Sequence, residues 1–218
     1  MNMKFKAAGF SACLIALGCS PLAPQPDHSK FFILTPINAD VGAASVPGKA
    51  SQPLTIGVGP IDFPDYLKHP EVVTLAAPNE IDLANERRWG EPLDKNFTRV
   101  LTENLSQLLD TQRIEKYPWP RKTQIDYQVE VDVQRFETSG NGQSQLVARW
   151  IIKDPQKSKD LYASRTTASS PVDKSDAGAS AALSHDLATL SREVASQITE
   201  LNQQRTSRVA AIDHVNAD

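Results

Sequence analysis

Hydrophobic positions change period several times along this chain, and each change marks an element. From residue 93 to 109 they recur at three- and four-residue spacing. Leu93, Phe97, Val100, Leu101, Leu105, Leu108 and Leu109 thereby form one continuous face of an amphipathic helix. Pro92 suits its first turn, where an amide hydrogen would find no partner. A second helical face runs through Leu183, Leu187, Leu190, Val194, Ile198 and Leu201. Past Leu201 the sequence turns polar, and 205–218 reads as a fraying tail.

Between the helices the period falls to two. Tyr127, Val129, Val131 and Val133 alternate with Gln128, Glu130, Asp132 and Gln134, the pattern of a half-buried strand. Gly140-Asn141-Gly142 turns the chain into Gln145 to Lys153, where Leu146, Ala148, Trp150 and Ile152 share a side. The polar stretch Asp154 to Asp160 turns it again into Leu161 to Thr167, completing an antiparallel meander. Upstream, Phe31 to Leu34 and Leu54 to Val58 read as short strands, the second stopped at Pro60. Val72 to Ala76 and Glu80 to Asn85 flank Ala77-Pro78-Asn79 as a hairpin. Thr35 to Pro53 carries Gly, Ala, Ser and Pro without period and reads as a flexible loop. Strands segregated from two helices predict an α+β fold over 31–204. It is a two-layer domain, a mostly antiparallel sheet with two amphipathic helices packed on it.

The N-terminus follows different rules. Lys4 and Lys6 precede an apolar stretch, Ala7 to Leu17, too short for the roughly 20 residues of a spanning helix. A basic start, a short apolar core and small residues before a cut describe an export signal, 1–18. Ala16-Leu17-Gly18-Cys19 resembles a bacterial lipoprotein box, with Cys19 acylated after cleavage; an ordinary secretory signal is the alternative reading. More than one acyl chain suffices for firm membrane attachment. Residues 19–30, with Pro21, Pro24 and Pro26, then form a flexible tether. After cleavage Cys19 is the sole cysteine, so no intrachain disulfide forms. The formal charge of -3 becomes about -5 once Lys4 and Lys6 are gone, which gives no basic surface for nucleic acid.

Candidate chemistry is sparse. There is no phosphate-cradling glycine loop and no Gly-x-Ser-x-Gly elbow. His28, His69, His185 and His214 are scattered. No catalytic residue, metal or cofactor is expected. Ser184, His185 and Asp186 are consecutive, and helical neighbours point about 100° apart, so they cannot form a relay. Their place between apolar positions puts them on the solvated face. Arg88-Trp89-Gly90-Glu91-Pro92-Leu93 has two readings. It is an interface rich in hot-spot residue types, or Trp89 plugs the core while Arg88 and Glu91 pair at its rim. Asp62 to Pro70, with Tyr66 inside it, is either an ordered loop or a partner-facing surface, and Trp119 is a packed loop anchor. Asp62, Tyr66 and Arg88 are the candidate partner or self-assembly positions.

In their order these clusters resemble the PqiC family, also called YmbA, of ABC-type transport auxiliary lipoproteins. The matching pieces are Phe31-Phe32-Ile33-Leu34, Ile56-Gly57-Val58-Gly59-Pro60-Ile61, Pro64-Asp65-Tyr66-Leu67, Val72-Val73, Arg88 to Leu93, Leu146 to Trp150 and the last helix. His69 stands where the family pattern has Arg. The resemblance implies a non-enzymatic periplasmic lipoprotein, anchored to the outer membrane through Cys19. It would dock or complete an MCE-type phospholipid conduit, with an MCE-domain protein and its own copies in a ring as partners. Ser20 after the anchor fits outer-membrane sorting. The residues alone leave two other classes open: a periplasmic carrier enclosing one acyl chain, which needs an apolar cavity, and a periplasmic hydrolase.

Overall fold

The computed structural model describes residues 27–37 and 54–215. The export signal, Cys19, Ser20, most of the tether and loop residues 38–53 lie outside the described residues.

The sheet has eight strands: β1 (Lys30–Phe32), β2 (Ile56–Asp62), β3 (Glu71–Ala77), β4 (Glu80–Trp89), β5 (Ile114–Lys116), β6 (Tyr127–Ser139), β7 (Gln143–Asp154) and β8 (Lys159–Ala168). Two α-helices among the described residues, α1 (Leu93–Leu108) and α2 (Gly178–Val215), accompany the sheet. The long ladders β3–β4, β6–β7 and β7–β8 are antiparallel, as the meander and hairpin patterns predict. Four shorter pairings, β1–β4, β2–β5, β2–β6 and β3–β6, are parallel, which makes the sheet mixed. β6 is the branch point. Its first half pairs with β2 and its last two residues with β3, while β7 runs along its whole other side.

Two boundaries differ from expectation. β2 continues past Pro60 to Asp62, because its register on β6 shifts between Val58 and Ile61 and the imide, which has no hydrogen to donate, sits in that irregularity. α2 runs on past Leu201 to Val215, through the segment expected to fray. Arg205 steadies this extension, lying over the Tyr127 ring at 5.2 Å and pairing with Asp126 at 3.1 Å.

The core lies between one sheet face and the two helices. Phe97, Val100, Leu101 and Leu105 of α1 and Leu187, Leu190, Val194 and Ile198 of α2 are fully buried. They meet Val129, Val131 and Val133 of β6 and Leu146, Ala148 and Ile152 of β7. A register shift between Val133 and Arg135 resets the alternation of β6, so that Phe136 returns to the core. Phe63, Phe97 and Phe136 stack edge to face with centroids 5.2 Å apart, each pair contributing about 0.5–1.5 kcal/mol beyond area burial. Trp119 is the packed anchor its proline flanks imply. Its ring lies over Gly57, where a Cβ would come within 2.8 Å.

Candidate functional site

The loop joining β2 to β3 is pinned at both ends by apolar side chains, Phe63 and Leu67, driven into the core. Pro64 presets the extended backbone that enters a single 3-10 turn, Asp65–Leu67, closed by the Leu67 amide on the Pro64 carbonyl at 3.0 Å. Between and beside the pins the loop presents Asp62, Asp65, Lys68 and His69 to solvent. Asp65 and Lys68 pair at 2.6 Å, an exposed bridge of little energetic weight.

Tyr66 is committed inward. Its hydroxyl donates to Glu137 at 2.9 Å. That carboxylate also receives Arg135 Nε at 2.7 Å and the Phe136 amide at 2.8 Å. Burial first, and then the negative charge of Glu137, push the phenol well above its ordinary range. Tyr66 is therefore a fixed donor tying the loop to β6. Arg88 donates to Glu71 at 3.1 Å across β3–β4, and the following Trp89 amide bonds the Pro70 carbonyl at 2.7 Å. The expected Arg88–Glu91 pair does not form: Glu91 is taken by Arg99, in the second turn of α1, at 3.0 Å. Trp89, 6% exposed, does plug the core. Asp62, Tyr66 and Arg88 thus border one loop without bonding to each other.

The assignment of Ser184, His185 and Asp186 to the solvated face is corrected by the structure. His185 is exposed, but Ser184 and Asp186 are buried. Ala179, Leu183, Asp186 and Leu190 fall at helical spacing, so the carboxylate lies on the apolar stripe. It accepts Ser144 Oγ at 2.6 Å and Ser170 Oγ at 2.5 Å, and His185 Nδ1 lies 3.0 Å from the same Ser170 hydroxyl. Burial raises the Asp186 pKa, against the lowering effect of the two hydroxyls. The carboxylate holds serines rather than the imidazole, so it cannot orient a histidine base. What it does is join β7, the segment after β8 and α2.

A second buried polar set fastens the residues after β1. The Leu34 amide donates to Asn96 at 3.2 Å, the Thr35 amide to Ser184 at 3.1 Å, and the Ile37 amide to Asn104 at 2.8 Å. Asn104 in turn donates to Ser191 of α2 at 3.0 Å. The incoming chain is strapped across both helices. These residues were readable as polar positions inside apolar stripes, since Asn96 and Asn104 flank Val100 and Leu101 while Ser184 and Ser191 flank Leu187.

Among the described residues no group of His, Cys, Asp and Glu is arranged to hold a metal, and no helix is long and apolar enough to cross a membrane. An open groove of about 940 Å³ runs between the α2 extension and the start of β2, with Glu115, Asp126, Arg205 and Thr206 among its walls.

The family model described as ABC-type transport auxiliary lipoprotein component matches residues 37–195. Among solved structures, a Xanthomonas campestris protein, XCC0632, is 14% identical with a TM-score of 0.61, covering 82% of this chain and 97% of its own. An uncharacterised protein is 21% identical with a TM-score of 0.58, covering 67% of this chain and 94% of its own. Both likenesses concern the fold. Comparison with curated protein sequences gives no match.

Proposed function

The chain belongs to the ABC-type transport auxiliary lipoprotein family, and from that premise we propose that it is the outer-membrane-anchored subunit that docks or completes an MCE-type phospholipid conduit. Membership makes it a membrane-anchored periplasmic component of a larger transport system. The finer reading adds acylation at Cys19, sorting through Ser20, an MCE-domain protein as partner, a homo-oligomeric ring and no reaction of its own.

The observation that carries this reading over a carrier is the closed core. The inward side chains of α1, α2, β6 and β7 are fully buried against one another, and the described groove is open and edged with charge. An acyl chain needs a concave apolar site, so function falls to the surfaces. The experiment is affinity isolation of the detergent-extracted, tagged full-length protein. Co-isolation of an MCE-domain protein with the wild type, weakened in Asp62→Ala at unchanged melting temperature, is the expected result. One native lipid bound per copy, with no MCE-domain protein, would give the role to a carrier instead.

A further inference from the structure

Among the described residues, exposed large apolar side chains are scattered singly, as at Ile81, Tyr117, Tyr162 and Val209, with one exception. Phe31 and Ile33 are 65% and 51% exposed and stand two residues apart near the start of the described residues. Their spacing puts them on one side of an extended segment, while Phe32 packs on the core and Leu34 is fully buried. They cannot turn inward. The Phe32 carbonyl accepts the Gly90 amide at 2.8 Å, and the Leu34 and Thr35 amides are held by Asn96 and Ser184. On the opposite side of the strand Lys30, Arg87 and Lys174 edge an open depression, where Lys30 is paired with Asp176 and Arg87 and Lys174 outnumber the remaining acid, Glu86.

We propose that this edge, Phe31 and Ile33 with the flanking cations, rests on the lipid surface that carries the anchor and fixes the domain's height and tilt there. The inference rests on acylation at Cys19. The argument for lipid as the occupant is the length of chain outside the described residues and where it ends. From Cys19 to Phe31 even full extension allows only about 40 Å. The edge is thus confined near the bilayer at high effective concentration, so that weak affinity suffices. Phe and Ile supply the apolar contact and the cations meet phosphates. Depth is limited too. β1 pairs only with β4 among the described residues, so its outer backbone groups need water or headgroups, which keeps the strand at the headgroup boundary.

The test uses the acylated full-length chain in phosphatidylethanolamine and phosphatidylglycerol vesicles whose acyl chains are brominated. Phe31→Trp adds an exposed reporter, and Tyr162→Trp on β8 is the control. Flotation establishes the anchor, and unchanged melting temperatures establish the fold. The expected result is that bromine quenches the added Phe31→Trp emission by about half or more and the control by about a tenth or less. Flotation without quenching at residue 31 overturns the membrane edge while leaving the anchor intact. Crosslinks between copies through residue 31 would give the edge to a second copy and overturn it as well. A chain that does not float overturns the anchor and the edge together.

Discussion

Replacing Asn104 with Ala tests whether the strap after β1 is held by single side chains. Asn104 is fully buried on α1 and bonds in two directions, accepting the Ile37 amide at 2.8 Å and donating to Ser191 at 3.0 Å. The substitution strands the half-buried Ile37 amide, a loss of about 1–3 kcal/mol. Ser191 loses little, because its hydroxyl already donates to the Leu187 carbonyl at 2.7 Å. The vacated amide volume adds about 1 kcal/mol of cavity cost. The sum is about 2–4 kcal/mol, or roughly 4–16 °C in melting temperature for a domain of this size. Urea denaturation measures the total, and hydrogen exchange at Ile37 measures the local part. A variant within about 0.5 kcal/mol of wild type, with Ile37 exchange unchanged, would refute the reasoning.

Asp186→Asn should remove a pH dependence. A carboxyl whose pKa is raised by folding subtracts stability above that value, and the loss is relieved as pH falls through it toward the unfolded 3.8. The variant's stability relative to wild type should therefore rise as pH climbs above about 4 in urea titrations, and a flat difference would sink the idea. Asn96→Asp should cost more than about 1 kcal/mol. The Leu34 amide and Arg99 already share Oδ1, so the second carboxylate oxygen takes the place of an Nδ2 that is buried without a partner and gains no donor there; a loss under about 0.5 kcal/mol in the same assay would count against that account. Leu187→Ala and Leu101→Ala, both fully buried, should each lose about 2–5 kcal/mol, and a near-neutral result would show that the helix faces are not the core.

What could be read in the sequence follows from how local each signal is. Both helices and the β6–β7–β8 meander announce themselves because the alternation of residues such as Val129 and Val131, or the spacing of Leu101 and Leu105, is fixed by neighbours in the chain. The parallel pairings were hidden for the opposite reason. Ile56 meets Tyr127 across 71 positions, and nothing in either segment names its partner. The α2 extension was missed because residues 202–210 lack an apolar stripe and are held instead by Arg205 on Asp126 and Tyr127. Asp186 is buried although Ser184, His185 and Asp186 read as one polar block. Residues 100° apart on a helix do not share an environment, and here the middle one alone faces water.

The three candidate surface residues also separate on chemical grounds. Tyr66 keeps its proton and spends its one donor on Glu137, and Arg88 is engaged by Glu71, so neither offers a free group without a rearrangement that exposes a buried or half-buried acid. Asp62 differs: it is exposed at the end of β2, and its carboxylate makes no hydrogen bond or ion pair among the described residues. Beside it His69 is exposed in the same loop. A partner reaching this loop would therefore read Asp62 and His69 directly, and Tyr66 and Arg88 only through the shape they impose. Loss of binding in Tyr66→Phe or Arg88→Ala should come with a measurable loss of stability, since each breaks an internal bond. In Asp62→Ala the two should part, and that separation distinguishes a contact surface from a scaffold.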